Sequence, residues 1–273
     1  MIKKLIVNAD DYGHTRGVSQ GIRQAHLRGI VTSTTAMMNY PGADQDLREA
    51  VRECPRLGLG LHLVLTSGNP VLPVEKVPDL VDGEGKFYKY DPFVERMHQI
   101  NLTQVNLEWH AQVEAFKNAI GRLPDHLDSH HHSSYFTPAL FELMLDLSDE
   151  LEVPIRLPFG MQNTALSEIN SPDVGSRIAT RPQGYAQVFI DGFYGDGVTL
   201  DNLKSILQQI AGDDEHDRFE LMTHPAVVDD ELVRTSIYNE RRADELKLLC
   251  HGLTFSALKS CGIELINYSD LNS

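Results

Sequence analysis

The sequence is short of the residues that would announce a specialised architecture. Of 273 residues only three are cysteine and one is tryptophan, and aromatics total 7%. Cys54, Cys250 and Cys261 are odd in number, widely spaced and form no C-x-x-C pair. That excludes a disulfide framework and a thiolate metal site. No run approaches the roughly 20 apolar residues that a membrane helix needs. Met1 to Asn8 is too brief for a signal peptide and leads straight into Asp10 and Asp11, so a cytoplasmic location is expected. Basic residues are the minority: 24 Lys and Arg against 39 Asp and Glu leave a net charge of −15. That balance argues against nucleic-acid or anionic-membrane binding, which clustered cations drive. There is no G-x-G-x-x-G after the first apolar run, no P-loop and no G-x-S-x-G elbow.

What is present is a repeated alternation. Apolar runs at Leu5–Ala9, Ile30–Met38, Leu57–Leu65, His126–His130, Val153–Leu157, Ala186–Ile190, Phe219–Thr223 and Glu264–Asn267 read as strands. Helical patterns fall between them, at Gly17–Arg28, Asp44–Glu53, Leu107–Leu123, Pro138–Leu151, Asp201–Ile210 and Glu240–Lys259. Such β-then-α units imply parallel strands covered by helices, either as a β/α barrel or as an open doubly wound sheet. No linker is evident, so a single domain over residues 1–273 is expected, with loop insertions near 66–99 and 160–197. Gly58 and Gly60 lie inside a strand, which implies that something approaches its backbone closely.

The unusual polar residues stand at the carboxyl ends of these strands: Asp10 and Asp11, His62, Asp128 with His130, His131 and His132, and His224 before Pro225. In β/α folds that edge is where sites are built. Adjacent residues of a regular strand face opposite ways. Asp10 and Asp11 can therefore share a site only where the strand ends and the chain turns, which Gly13 permits. Otherwise the pair caps the following helix. Alternation puts His126, Asp128 and His130 on one face and His131 on the other. Taken singly, His62 and His224 could equally be core histidines.

Taken together, Asp11, His62 and His130 form a set of two imidazoles and a carboxylate, suited to zinc, non-haem iron or a harder ion with an open position for water. Asp128 is placed to orient an imidazole. Asp10 can take a proton from metal-activated water and His224 can give one to a leaving nitrogen. That chemistry is amide hydrolysis without a covalent intermediate.

The stretches Asn8-Ala9-Asp10-Asp11-Tyr12-Gly13, Gly29-Ile30-Val31-Thr32-Ser33-Thr34-Thr35, Gly60-Leu61-His62-Leu63, His126-Leu127-Asp128-Ser129-His130-His131-His132 and Met222-Thr223-His224-Pro225 occur in order along nearly the whole chain. In this the chain resembles the YdjC/ChbG-like carbohydrate deacetylases. The resemblance implies a distorted parallel β/α barrel of about seven strands. It implies removal of acetyl from N-acetylated sugars, chito-oligosaccharides foremost; short or phosphorylated saccharides are the expected substrates here. It matches Asp10 to the base, His224 to the acid, and Asp11, His62 and His130 to the ligands of one divalent ion, Mg2+ or Zn2+. A homodimer is also implied. The chain departs from the pattern where Ser133 and Ser134 follow His132 in place of a further His, and where Tyr12 replaces a frequent Phe.

Arg156, His132 and Tyr12 are candidate substrate contacts, and Arg156 could instead make a structural ion pair. Tyr238 and Arg241 border the site or form a solvated helix face. Thr66, Tyr88, Tyr90, Phe193 and Tyr194 lie in the long loops, where aromatics could stack on sugar rings or fill minor cores. Two other functions use the same residues. A metal phosphoesterase or amidohydrolase would carry two metals. A non-catalytic sugar-binding protein would hold the metal in a closed site.

Overall fold

The computed structural model describes residues 2–158, 178, 182 and 184–271. Most of the expected insertion at 160–197 lies outside the described residues. Seven strands are named β1 (Lys3–Tyr12), β2 (Ser33–Ala36), β3 (Gly58–Leu63), β4 (Leu127–Ser129), β5 (Val188–Ile190), β6 (Arg218–Thr223) and β7 (Ile263–Ile266). Their order is β4-β3-β2-β1-β6-β5, and every pairing between them is parallel. β7 pairs with the first half of β1, from Lys3 to Ile6, while β2 pairs with the second half. Val153–Leu157, expected as a strand, makes one parallel bridge at Ile155 beside Leu127 of β4. The sheet curls into a half-barrel, closer to the barrel than to the open doubly wound alternative.

The helices are α1 (Arg16–Arg28), α2 (Ala43–Glu53), α3 (Tyr90–Arg96), α4 (Leu102–Ile120), α5 (Pro138–Leu151), α6 (Leu200–Gly212), α7 (Asp230–Thr235), α8 (Glu240–Leu249) and α9 (Gly252–Cys261). Their starts follow capping chemistry. Thr15, Asn101, Thr137 and Thr199 each accept a backbone N–H of the first turn. The expected helix over Glu240–Lys259 is two helices, because His251 caps a new start by accepting from Leu253 N. α3 and α7 are too short to show a period in the sequence. α4 packs on α2 and α5, α1 on α8, and α6 on α9. One cluster of buried apolar side chains runs from Leu5 to Leu258.

The loop insertion after β3 is an ordered excursion. Buried Glu108 of α4 accepts Val71 N at 2.8 Å and Leu72 N at 3.1 Å, and Gln112 brackets Val64 by its N–H and carbonyl. Among the described residues no helix is long and apolar enough to cross a membrane.

The inside of the half-barrel is polar. Asn8, Thr35, His62, His126, Asp128, Arg156 and Glu220 are all buried there, where barrels of this kind usually stack branched apolar side chains. Gly60 exists for this interior. A Cβ on Gly60 would lie 2.3 Å from the His126 ring. Gly60→Ala is therefore expected to cost about 2–3 kcal/mol, as overpacking of a filled interior does, measured by urea denaturation against wild type.

Candidate active site

β1 ends with a device that lets two neighbouring carboxylates share one cavity. Its register with β2 breaks between Ala9 and Tyr12. Asp11 has φ 70°, the left-handed region that non-glycine residues seldom enter, Asp and Asn excepted. The turn thus begins at Asp11 itself, and His14 N closes it on Asp11 O at 3.0 Å. Gly13 continues it at φ 85°, where a Cβ would press on Ala43 at 2.8 Å.

Asp11 meets both imidazoles. Its Oδ1 lies 3.0 Å from His130 Nδ1 and 3.3 Å from His62 Nε2. The opposite nitrogen of His62, Nδ1, lies 2.6 Å from Asp128 Oδ1, so Asp128 fixes how that ring is aimed. Thr35 Oγ1 donates to Asp128 Oδ2 at 3.0 Å. Donor atoms of Asp11, His62 and His130 all lie within 4.8 Å of one another. This set fits a cation of the zinc or magnesium type. Carboxylates outnumber guanidiniums around it: Asp10, Asp11, Asp128 and Glu220 are buried there with Arg156 and Arg242. A second group, Asp10, His62 and Asp128, has comparable spacing, but the Arg156 guanidinium already sits between its carboxylates.

Arg242 of α8 donates to Asp11 Oδ2 at 2.6 Å. Burial pushes the Asp11 pKa up, but Arg242 and His130 outweigh it and hold the carboxyl well below its usual range. For His62, burial works downward, and the charge of Asp128 with the hydrogen bond to Asp11 raises it to about 10.

Asp10 is gripped from two sides. Arg156 donates through both terminal nitrogens, at 2.7 Å and 2.8 Å, and Asn8 Nδ2 donates to Oδ1 at 2.8 Å. Burial again opposes ionisation, and Arg156 again prevails, keeping Asp10 below the ordinary carboxylate range. His224, at the end of β6, brings Nε2 to 4.0 Å from Asp10 Oδ2. Its Nδ1 is buried and without a hydrogen-bond partner among the described residues. Burial lowers its pKa to about 4. The backbone of His224 is pinned instead: His224 N donates to Glu245 Oε2 at 2.5 Å, and Tyr238 Oη donates to Glu245 Oε1 at 2.6 Å. Burial raises Glu245 to about 8.

The structure thus brings Asp10, Asp11, His62, Asp128, His130 and His224 together. Of the three expected substrate contacts, Arg156 and His132 lie beside the site's carboxylates and Tyr12 lies away from them. Arg156 is fully buried with its donors on Asp10, Asp128 and Glu220, so it acts on the site through those carboxylates. Tyr12 turns away between α1 and α2, where Oη donates to Asp46 O and accepts from Arg23. His132 packs against Tyr135 and Phe189, and burial lowers its pKa to about 3. Among the loop residues, His131 and Thr66 pair at 3.0 Å, Tyr90 sets its edge on His131, and Phe193 is core. Tyr88 lies 4.0 Å from the Arg96 guanidinium. Tyr194 is 5.4 Å from the His224 ring and stacks on Tyr238 at 4.1 Å.

Sequence reasoning missed Arg242, Glu245, Glu220 and Asn8, and named Arg241 in place of its neighbour. Arg241 points outward to Asp244 and Asp196. The available signal was helical spacing: Arg242, Glu245, Leu246 and Leu249 form the buried face of α8.

Fold and site together define a curled β/α half-barrel with a carboxylate–imidazole centre at the carboxyl edge of its sheet. The chain belongs to the YdjC-like protein family, whose model matches residues 4–260. A carbohydrate deacetylase of Brevibacillus brevis is 36% identical over 98% of this chain and 99% of its own. A chitooligosaccharide deacetylase of Proteus mirabilis is 34% identical over 99% of this chain and all of its own. A crystal structure from Enterococcus faecalis V583, provisionally described as a cellobiose-phosphate cleavage protein, is 34% identical and superposes with TM-score 0.88 over 99% of both chains.

Glu245 yields a pH prediction. Its folded pKa of about 8 stands above the 4.5 of a free glutamate. The native state therefore holds the proton longer than the unfolded state, and stability falls as pH rises between these values. Glu245→Gln is expected to flatten that decline, read as the change in urea midpoint between pH 5 and pH 8 in variant and wild type.

Proposed function

We propose that this protein is a metal-dependent carbohydrate N-deacetylase. It hydrolyses the acetamide of N-acetylated amino sugars, in the manner of chito-oligosaccharides, to free amine and acetate. The observation that carries this reading is the meeting of Asp11, His62 and His130 on one point beside Asp10 and His224, side chains from three strands and the turn after β4. The names of the relatives agree with it.

In this reading Asp11, His62 and His130 would hold one divalent ion, Mg2+ or Zn2+, which would supply Lewis acidity when bound. Asp128 keeps His62 aimed, and Arg242 keeps Asp11 ionised. Asp10, held ionised by Arg156, accepts the proton of the attacking water. His224 starts neutral because burial lowers its pKa to about 4. It gains a proton within the site, where Asp10 lies 4.0 Å away, and passes it to the leaving nitrogen. Oxygen joins the acyl carbon, the C–N bond breaks, and acetate and amine leave. A two-metal phosphoesterase needs a second vacancy, and Arg156 fills the place where the second group of donors would offer one. A cytoplasmic homodimer completes the reading, in keeping with the free thiols of Cys54, Cys250 and Cys261.

The test is acetate release from N-acetyl-glucosamine monomers and oligomers, phosphorylated and not, with several added divalent ions. Asp10→Asn is expected to keep its metal and lose about 10³-fold in turnover, the scale of a positioned base. Normal turnover by that variant would remove Asp10 from the role. His62→Ala and His130→Ala are each expected to lose metal by elemental analysis. Full occupancy in both would overturn the ligand assignment. His224→Ala is expected to slow turnover about 10²-fold with metal retained; metal loss would make it a ligand instead.

A further inference from the structure

The hydrogen bonds that hold Asp10 do not end at Arg156 and Asn8. Arg156 Nε donates to Glu220 Oε1 at 2.7 Å, and Glu220 Oε2 accepts the hydroxyl of Tyr268 at 2.5 Å. Tyr268 opens a one-turn helix, Tyr268–Asp270, just after β7, with Asn267 closing a capping box around it. Its ring is 2% exposed and stacks face to face on His126, 3.8 Å between centroids and 9° between planes. His126 Nε2 meets Asn8 Oδ1 at 3.2 Å, and Asn8 Nδ2 donates to Asp10 Oδ1. Two paths therefore leave this one ring and meet again on Asp10. One runs through Glu220 and Arg156, the other through His126 and Asn8. Tyr268 lies beyond residues 4–260, which the family model matches.

We infer that Tyr268 is a positioning residue for Asp10, so that the turn ending the barrel sets the geometry of the proposed base. The chemistry asks for it. A carboxylate that receives a water proton must be held in place through the reaction, and a guanidinium can hold it only if it is itself held. Arg156 has its Nε on Glu220 and both terminal nitrogens side-on to Asp10, one of them also pairing with Asp128 Oδ2 at 2.9 Å. Glu220 meets Arg156 through one oxygen and Tyr268 through the other, so the tyrosine hydroxyl sets how Glu220 presents itself to the guanidinium. The Gly60 backbone makes room for His126, and His126 supports the tyrosine ring.

The experiment is Tyr268→Phe in the full chain, which keeps the stacked ring and deletes the hydroxyl. The expected result is a fall in kcat for acetate release of about tenfold, the scale of one hydrogen bond to a charged group. KM and bound metal should stay within about twofold on the same scale. In an Arg156→Lys background the same change should cost nothing further, because its route to Asp10 is already cut. An unchanged kcat, or an equal loss in both backgrounds, overturns the proposal. A crystal structure of Tyr268→Phe supplies a readout apart from turnover: the Asp10 carboxylate should rotate off its side-on pairing with Arg156. An unmoved Asp10 overturns the proposal even if Arg156→Lys fails to fold. The activity arm rests on the deacetylase reading. A wild type that released acetate from no acetylated sugar would count against that reading, and the crystallographic comparison would still decide this one.

Discussion

One buried guanidinium organises the molecule. Arg156 is fully enclosed, and carboxylates of β1, β4 and β6 converge on it through Asp10, Asp128 and Glu220. A charge taken out of water is costly unless geometry and partners are both good. Here the planar fork meets carboxylates along its edges at 2.7–2.9 Å, and Phe189 covers it 5.0 Å away. The cluster does for this half-barrel what layers of branched apolar side chains do elsewhere. It joins strands far apart in the sheet order across the interior, including the segment that makes only a single bridge at Ile155.

That choice dictates much of the surrounding sequence. A polar interior must satisfy most of the donors and acceptors it encloses. Thr35 donates to Asp128, Thr34 to the Ala9 carbonyl, Thr223 to the Asn8 carbonyl, and Tyr135 to the Arg156 carbonyl. The β-branched threonines of β2 thus serve two ends, favouring the strand and feeding the network. The apolar core lies outside the sheet, between strands and helices. The ordinary division of labour is inverted: hydrophobic burial fastens the shell, and hydrogen bonding fixes the centre.

This inversion explains what could be read from the residues alone. The alternation of strands and helices was legible because the apolar core lies between them and leaves its period in the sequence. Strand-end histidines and aspartates stood out because such residues are out of place at the close of an apolar run. The glycine at position 60 signalled a close approach, and His126 is what approaches. Directions were harder. Parallel strands covered on both faces lose the polar–apolar alternation that says which way a side chain points. Glu220, within Phe219-Glu220-Leu221, could have faced either way. Arg156 was visible as a cation on a strand, but nothing local told whether it looked into the cavity or beneath it. Tyr12 follows two site residues and yet turns outward, because the left-handed turn at Asp11 reverses the expected order. Arg241 and Arg242 are neighbours about 100° apart on a helix, and only the burial of Leu246 and Leu249 chooses between them.

The pairing of Asp10 with Arg156 and of Asp11 with Arg242 settles a difficulty raised by two adjacent acids. Carboxylates forced together usually divide their pKa values, one staying protonated to spare the other. The proposed roles, one carboxylate binding a cation and the other accepting a proton, need both ionised at the same pH. Sharing a single counter-charge would couple the two, so that loading one with a proton or a metal ion would shift its neighbour. Here the two face different guanidiniums, delivered by different elements: Arg156, beside Ile155, for Asp10, which shares it with Asp128 and Glu220, and Arg242 of α8 for Asp11. The left-handed backbone at Asp11 is what separates them. It turns the second carboxylate toward His62, His130 and Arg242 while the first stays on the strand facing Arg156. Strain at one residue thereby divides the labour of two, and it is sustained because both products of the division are anchored by charge.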